Sequence, residues 1–249
     1  MRKPFGIVTL LVAALTLSAP RAMAQAFLDV EGGAAFTGYN DVRIPAETGT
    51  RLSLSDDLSS DPAAALRLRL GYTFAGRHTA TVLIAPLTVR SSGTLDEDVS
   101  YQGKAFPAGT RVDAAYRFDS YRFTYRYAFV KTDDLVVASG LTGKIRSADI
   151  ALMGDSGYAH RDDLGVVPLV NLWVQWKFAA PFSLFLDADA LWSPFGRAED
   201  ALLAVQYHPN PNVAFRLGYR VLEGGSDGGG DVYTFALFNY VTAGIVVSW

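Results

Sequence analysis

Residues 65–74 read ALRLRLGYTF. Leu66, Leu68, Leu70, Tyr72 and Phe74 fall on one parity, and Arg67, Arg69, Gly71 and Thr73 on the other. Successive side chains of a strand point to opposite faces, so this stretch carries one oily face and one polar face at period two. A helix, at 3.6 residues per turn, would scatter the same residues around its axis. The length is close to the roughly 9–11 residues that a tilted membrane-crossing strand needs.

The pattern recurs. In 121–129, Tyr121, Phe123, Tyr125, Tyr127 and Phe129 alternate with Arg122, Thr124, Arg126 and Ala128. In 213–221, Val213, Phe215, Leu217, Tyr219 and Val221 alternate with Ala214, Arg216, Gly218 and Arg220. Extending the reading predicts ten strands, near 27–37, 63–74, 78–91, 111–130, 134–148, 164–178, 182–192, 200–208, 212–222 and 232–249. Their connections alternate in length. Short turns fall at 75–77, 131–133, 179–181 and 209–211, and longer polar loops at 38–62, 92–110, 149–163, 193–199 and 223–231. Short turns on one side and long loops on the other mark an up-and-down barrel.

The physical argument for closure is short. Inside lipid every backbone N–H and C=O needs a partner within the protein, and a sheet achieves this only without edges. The predicted fold is therefore all-β, an antiparallel up-and-down transmembrane β-barrel of about ten strands, with eight or twelve as alternatives. A soluble ten-stranded β-protein is the competing reading. The even-numbered strands end in aromatics at the short-turn side: Tyr72 and Phe74, Tyr127 and Phe129, Trp176 and Phe178, Tyr207, then Trp249. Aromatics at one height are expected of a membrane-interface girdle.

Ahead of the strands, Arg2 and Lys3 precede an apolar run, and Ala22-Met23-Ala24 fits a small-x-small cleavage site. Residues 1–24 thus read as a secretion signal and 25–249 as the barrel. Removing the signal takes three of the 22 Lys+Arg and none of the 25 Asp+Glu, which shifts the formal charge from −3 to −6. That balance argues against a nucleic-acid partner. The chain has no cysteine, so thiolate catalysis and Cys-based metal sites are excluded. No long apolar helix-like run follows the signal.

The last predicted strand ends Ile-Val-Val-Ser-Trp at 245–249. Here the chain resembles the small outer-membrane barrels of Gram-negative bacteria as a class, whose final strand commonly ends in Phe or Trp. The resemblance implies an outer-membrane location, contact with membrane lipid and lipopolysaccharide, and recognition of that strand by the barrel-assembly machinery.

The parity opposite the oily one gathers charge. It holds Arg67, Arg69, Arg122, Arg126, Lys144, Arg146, Lys177, Arg216 and Arg220 against Asp29, Glu31, Asp187 and Asp189. Neighbouring strands would pair Asp29 and Glu31 with Arg67 and Arg69, and bring Asp187 and Asp189 to Lys177. Eight strands are just filled by their own side chains and sixteen or more leave a channel, so ten predict a lumen plugged by salt bridges. The basic surplus keeps a narrow passage for small anions as the alternative.

The three histidines offer little chemistry. His78 and His208 lie near short turns, where they would face water. His160 lies in the third predicted loop beside Asp155, Ser156, Asp162 and Asp163. Proteases of the omptin family are similar in strand count, and they activate water with acidic residues and a histidine at the outer rim. The paired acidic motif of that family has no match here, so no residue is carried over. Lipid-modifying barrels need a Ser/His pair at a lipid-facing strand end, and no histidine is predicted on that parity at the outer rim. The acidic runs 95–98 and 55–57 lack calcium-loop spacing, and the Gly-rich 224–231 is a hairpin tip, since no helix follows it. The expected role is non-enzymatic, without cofactor or metal, with a surface hydrolase of omptin-like or lipid-modifying type as a further alternative.

Overall fold

The computed structural model describes residues 24–249. The predicted signal, apart from Ala24, lies outside them. Ten long strands follow one another: β1 (Ala24–Arg43), β2 (Ala63–Phe74), β3 (His78–Ala85, resumed at Thr88–Thr94), β4 (Arg111–Lys131), β5 (Leu135–Gly154), β6 (Gly157–Ala179), β7 (Phe182–Ser193), β8 (Gly196–Asn210), β9 (Val213–Asp227) and β10 (Tyr233–Ser248). Each pairs antiparallel with the next, and β10 returns to β1 from Phe27↔Ser248 to Arg43↔Tyr233. The sheet closes into a ring where each strand crosses the membrane. Beyond it, residues 157–169 of β6 pair with β5 alone, since β7 joins β6 only from Val170↔Ala190 inward.

The outer wall is apolar across its middle. Leu66, Leu68, Leu70, Phe123, Leu141, Val166, Leu203 and Leu217 all face outward and exposed. The aromatics Tyr72, Phe74, Tyr127, Phe129, Trp176, Phe178, Tyr207 and Trp249 are likewise exposed. An apolar surface of this extent is stable only against lipid. On β4 to β6 the polarity switches along one line. Tyr121, Ile145 and Leu164 are followed outward by Asp119, Ser147 and Asp162, which lie within two register steps of one another. The short turns and both ends of the described residues, Ala24 and Trp249, gather at one mouth, the side that faces the periplasm in such barrels. At the Ala75-Gly76 turn there φ is +46° and +70°, the left-handed pair of a tight turn closed by Arg77 N to Phe74 O at 3.3 Å.

The long loops differ from the sequence reading. The predicted loop 149–163 is strand: β5 and β6 run on to Gly154 and Gly157 and turn across Asp155 and Ser156. At 20 and 23 residues these strands are about twice the length that crosses a bilayer, so they project beyond it. The predicted loops at 193–199 and 223–231 likewise shrink as β7, β8 and β9 extend. Beyond the lipid both faces of a strand wall can be polar, and the alternation that reveals a strand fades. In β1 a second cause operates. A register shift between Thr37 and Tyr39 moves the inward parity from Asp29, Glu31 and Ala35 to Asn40 and Val42, and the simple alternation breaks there.

The first two loops, 44–62 and 95–110, keep charged residues such as Asp56, Asp57, Asp96, Glu97 and Asp98 in solvent but turn their apolar ones inward. They fold back into the outer mouth. Ile44, Leu52, Leu54 and Leu58 meet Leu95, Val99, Tyr101 and Phe106, and the cluster continues into Val89, Val112, Tyr116, Leu152 and Phe238 on the strands. The two loops clasp each other through Thr50 N to Ser100 O at 2.9 Å and Gln102 N to Ile44 O at 2.9 Å. Tyr101, fully buried, donates its hydroxyl to the Ile150 carbonyl at 2.8 Å, tying the plug to β5.

Candidate functional site

One strand displays the three levels of the lumen. Read inward from its outer end, the interior-facing residues of β4 are Val112, Ala114 and Tyr116, then Ser120, Arg122, Thr124 and Arg126, then Ala128. The first group belongs to the apolar plug. The second belongs to a buried layer of charge. The last lines an open cavity at the periplasmic mouth.

The charged layer holds Asp29, Glu31, Arg67, Arg69, Arg122, Arg126, Lys144, Asp187, Asp189, Arg216 and Arg220. Its hub is Asp200 on β8, which sequence reading left out. Asp200 accepts from Arg122 Nη2 at 2.6 Å, from Arg67 Nη2 at 3.0 Å and from Arg220. It stands at the predicted edge of its strand, where parity was least secure. The signal was nevertheless present, since Asp200 shares parity with the inward Leu202, Ala204 and Gln206.

Around this hub the bonds are short. Arg220 grips Glu31 at 2.8 and 3.0 Å, and Arg216 grips Asp29 at 2.7 Å and Glu31 at 2.9 Å. Arg122 reaches Asp189 at 2.8 Å, which also accepts from Thr142 and Asn171. Arg69 holds Asp187 at 2.7 Å. The adjacent pairs Asp29–Arg69 and Glu31–Arg67 lie at 3.5 and 3.9 Å, longer than the contacts made across the lumen. Eight of the ten strands, all but β3 and β10, contribute a side chain to this web. Buried charges persist only when paired and hydrogen-bonded, and removing one partner strands the others.

Two predicted members lie elsewhere. Lys177 is exposed at the periplasmic rim, so Asp187 and Asp189 turn to arginines rather than to it. Arg146 pairs with Asp163 toward the outer mouth. Lys144 sits in the layer without a carboxylate within 4.0 Å among the described residues, its ammonium 4.7 Å over the Phe118 ring.

The lumen is therefore not filled throughout, as ten strands had suggested. Below the charges a cavity of about 900 Å³ opens to the periplasmic side. Trp173 and Phe185 meet edge-on in its wall at 5.5 Å. His208 lies there half-buried rather than in free water, bonded to Ser183 Oγ at 2.8 Å. His78 stands on the outer wall among the aromatics, 5.3 Å from Phe74 and 5.0 Å from Tyr127, with its Nδ1 bonded to Tyr125.

His160 corrects another expectation. Because β6 is continuous, the outward parity of Val166 and Leu164 carries on to His160, which therefore stands on the outer wall near the extracellular end. Its Nδ1 is 3.0 Å from Asp149 Oδ1 and its ring stacks on Tyr158 at 5.3 Å. The acidic runs form turn bonds: Asp57 accepts from Ser53 N and Asp98 from Ala108 N.

No protein-family model matches the chain, and no curated protein matches it. Among solved structures, the outer membrane protease OmpT from Escherichia coli aligns with a TM-score of 0.52 and 12% identity, covering 90% of this chain and 97% of that one. The translocator domain of the autotransporter NalP from Neisseria meningitidis aligns with a TM-score of 0.44 and 14% identity, over 91% of this chain and 88% of that one. Ail of Yersinia pestis, in complex with the heparin analogue sucrose octasulfate, gives 0.41 and 12%, over 90% and 99%. At such identities the first alignment speaks for fold alone, and the two weaker ones carry no argument. Closed ring, apolar exterior and inward charge together define the class: this chain is a bacterial outer-membrane β-barrel.

Proposed function

We propose that the protein is a non-enzymatic, non-conducting outer-membrane barrel that presents folded loops at the cell surface. The observation that carries this reading is the plug. Loops 44–62 and 95–110 seal the outer mouth with apolar side chains, and the charge layer beneath them is cross-braced over the lumen. An ion entering from outside would meet a dry apolar barrier, which is prohibitive for an unpaired charge. Its surroundings would be outer-membrane lipid and lipopolysaccharide.

Planar-bilayer recording tests the proposal. Purified protein should insert without steady current steps. Stable anion-selective steps that vanish in Arg122→Ala or Arg216→Ala would replace it with the narrow anion channel.

A surface hydrolase draws on one observation, the His160–Asp149 pair on the outer wall. A carboxylate that orients a histidine is the start of a general-base arrangement. If purified protein cleaves peptide or lipid ester and His160→Ala abolishes the cleavage, the non-enzymatic reading fails.

A further inference from the structure

The periplasmic cavity has no part in sealing the barrel. Six basic and two acidic side chains line it, together with aromatic rings. Its inner end is shaped by Arg126, which is only 6% exposed. Asp187 is its one carboxylate within 4.0 Å among the described residues, at the limit of that range. That carboxylate is already held by Arg69 at 2.7 Å and by Asn171 at 3.2 Å. The Arg126 guanidinium instead lies 4.8 Å from the centre of the Trp173 ring. Arg216 stands 5.2 Å from the Phe185 ring, and its buried Nε finds no partner. A guanidinium has five donors in a planar fork, and burial without an acceptor is costly.

The polar wall beside the rings is adaptable. Gln175 reaches Gln206 and His208, each at 3.2 Å, through one amide nitrogen. The volume falls within the range of small-molecule pockets, roughly 300–1,000 Å³, and the mix of aromatic surface with a few convergent polar groups is typical of them.

We propose that this cavity binds a small monoanion with a flat apolar body, of the aromatic carboxylate class. The carboxylate meets the Arg126 fork in two parallel bonds, and the ring lies against Trp173 and Phe185. A bare inorganic anion would answer the guanidinium but leave the aromatic wall wet. A neutral aromatic would do the reverse. The lysines at the mouth, Lys131 and Lys177, draw anions inward from the periplasm. Binding here does not depend on the plug, so conductance and ligand binding are separate readouts.

The test is equilibrium dialysis of 2-naphthoate against the protein in lipid nanodiscs, with empty nanodiscs correcting for partition. The expected result is saturable binding at one site, at least about tenfold tighter than 2-naphthalenemethanol or inorganic phosphate. Arg126→Gln should weaken it about tenfold or more, with the heat-induced gel shift of the barrel retained. Lys177→Glu, on an exposed residue, should weaken it a few-fold. No saturable binding by folded wild type, equal binding of phosphate, or unchanged affinity in folded Arg126→Gln each overturns the proposal. If Arg126→Gln does not fold, unchanged affinity in both Lys177→Glu and Trp173→Leu overturns it instead.

Discussion

The outer and inner thirds of the lumen share one wall and are filled in opposite ways. At the outer end, chain from outside the barrel turns back in and packs Leu54, Leu58, Tyr101 and Phe106 against strand residues. At the inner end the turns are too short to reach inside, and the space stays open. Between them, charges from opposite walls meet directly. Loop length, rather than strand count, therefore decides which part of a narrow barrel is solid. The plug is held by burial of apolar area, and the charged layer by the dense pairing of Asp200, Glu31, Asp29, Asp187 and Asp189 with arginines.

If that division is right, the layers should break differently. The largest effect is expected at the hub. Asp200→Ala would leave Arg67, Arg122 and Arg220 facing one another, and should cost about 5 kcal/mol. Urea titration should show the whole barrel weakening, with the heat-induced gel shift moved to lower temperature. In the plug, Leu54→Ala should cost about 3 kcal/mol through a cavity. That loss should appear as faster proteolysis within 44–62, while the gel shift of the barrel stays put. If the two variants give the same signature, plug and charge layer are one cooperative unit.

A smaller effect sharpens the boundary. Tyr101→Phe removes the hydroxyl bond to Ile150 and should cost about 1 kcal/mol. Burial holds the Tyr101 hydroxyl above its ordinary value of 10.0. The neutral form is thus favoured in the folded plug, and its stabilisation is intact below pH 10 and is lost as the pH climbs toward the raised value. Proteolysis of the plug should accelerate in that alkaline range for wild type, and less so for Tyr101→Phe. The smallest effect belongs to the exposed rim. Arg111→Ala breaks a 3.6 Å contact with Asp113 in open solvent and should move stability by less than about 0.5 kcal/mol.

Much of the barrel was legible because period-two patterning is strongest where one face meets lipid. All ten strands were placed from runs such as 65–74 and 121–129, since their oily faces are nearly uninterrupted. Legibility ended where lipid ends. The outer parts of β5 and β6 read as loop because Asp149, His160 and Asp162 stand where an oily residue would have marked the outward face. That same break placed His160 in a loop instead of on the wall. The plug was hidden for another reason. Leu52, Leu54 and Leu58 sit among Ser and Asp, and nothing in their spacing says that the loop folds inward rather than out. At the candidate site the inward parity found the charges but not their partners. Cross-lumen contacts such as Arg122 to Asp200 depend on barrel diameter and tilt, which adjacent-strand pairing cannot supply.

The seam between β1 and β10 carries a consequence for biogenesis. Ala26 and Trp249 exchange backbone hydrogen bonds in both directions, at 3.1 and 3.0 Å, at the foot of that seam. The partner of β1 is thus the strand synthesised last of the ten. In a partly folded barrel, the β1 edge that meets β10 has no partner until the tenth strand is in place, and the open sheet is sticky for that interval. A chain halted after β9 would have no legitimate way to quench that edge, and another unfinished copy would be its readiest substitute.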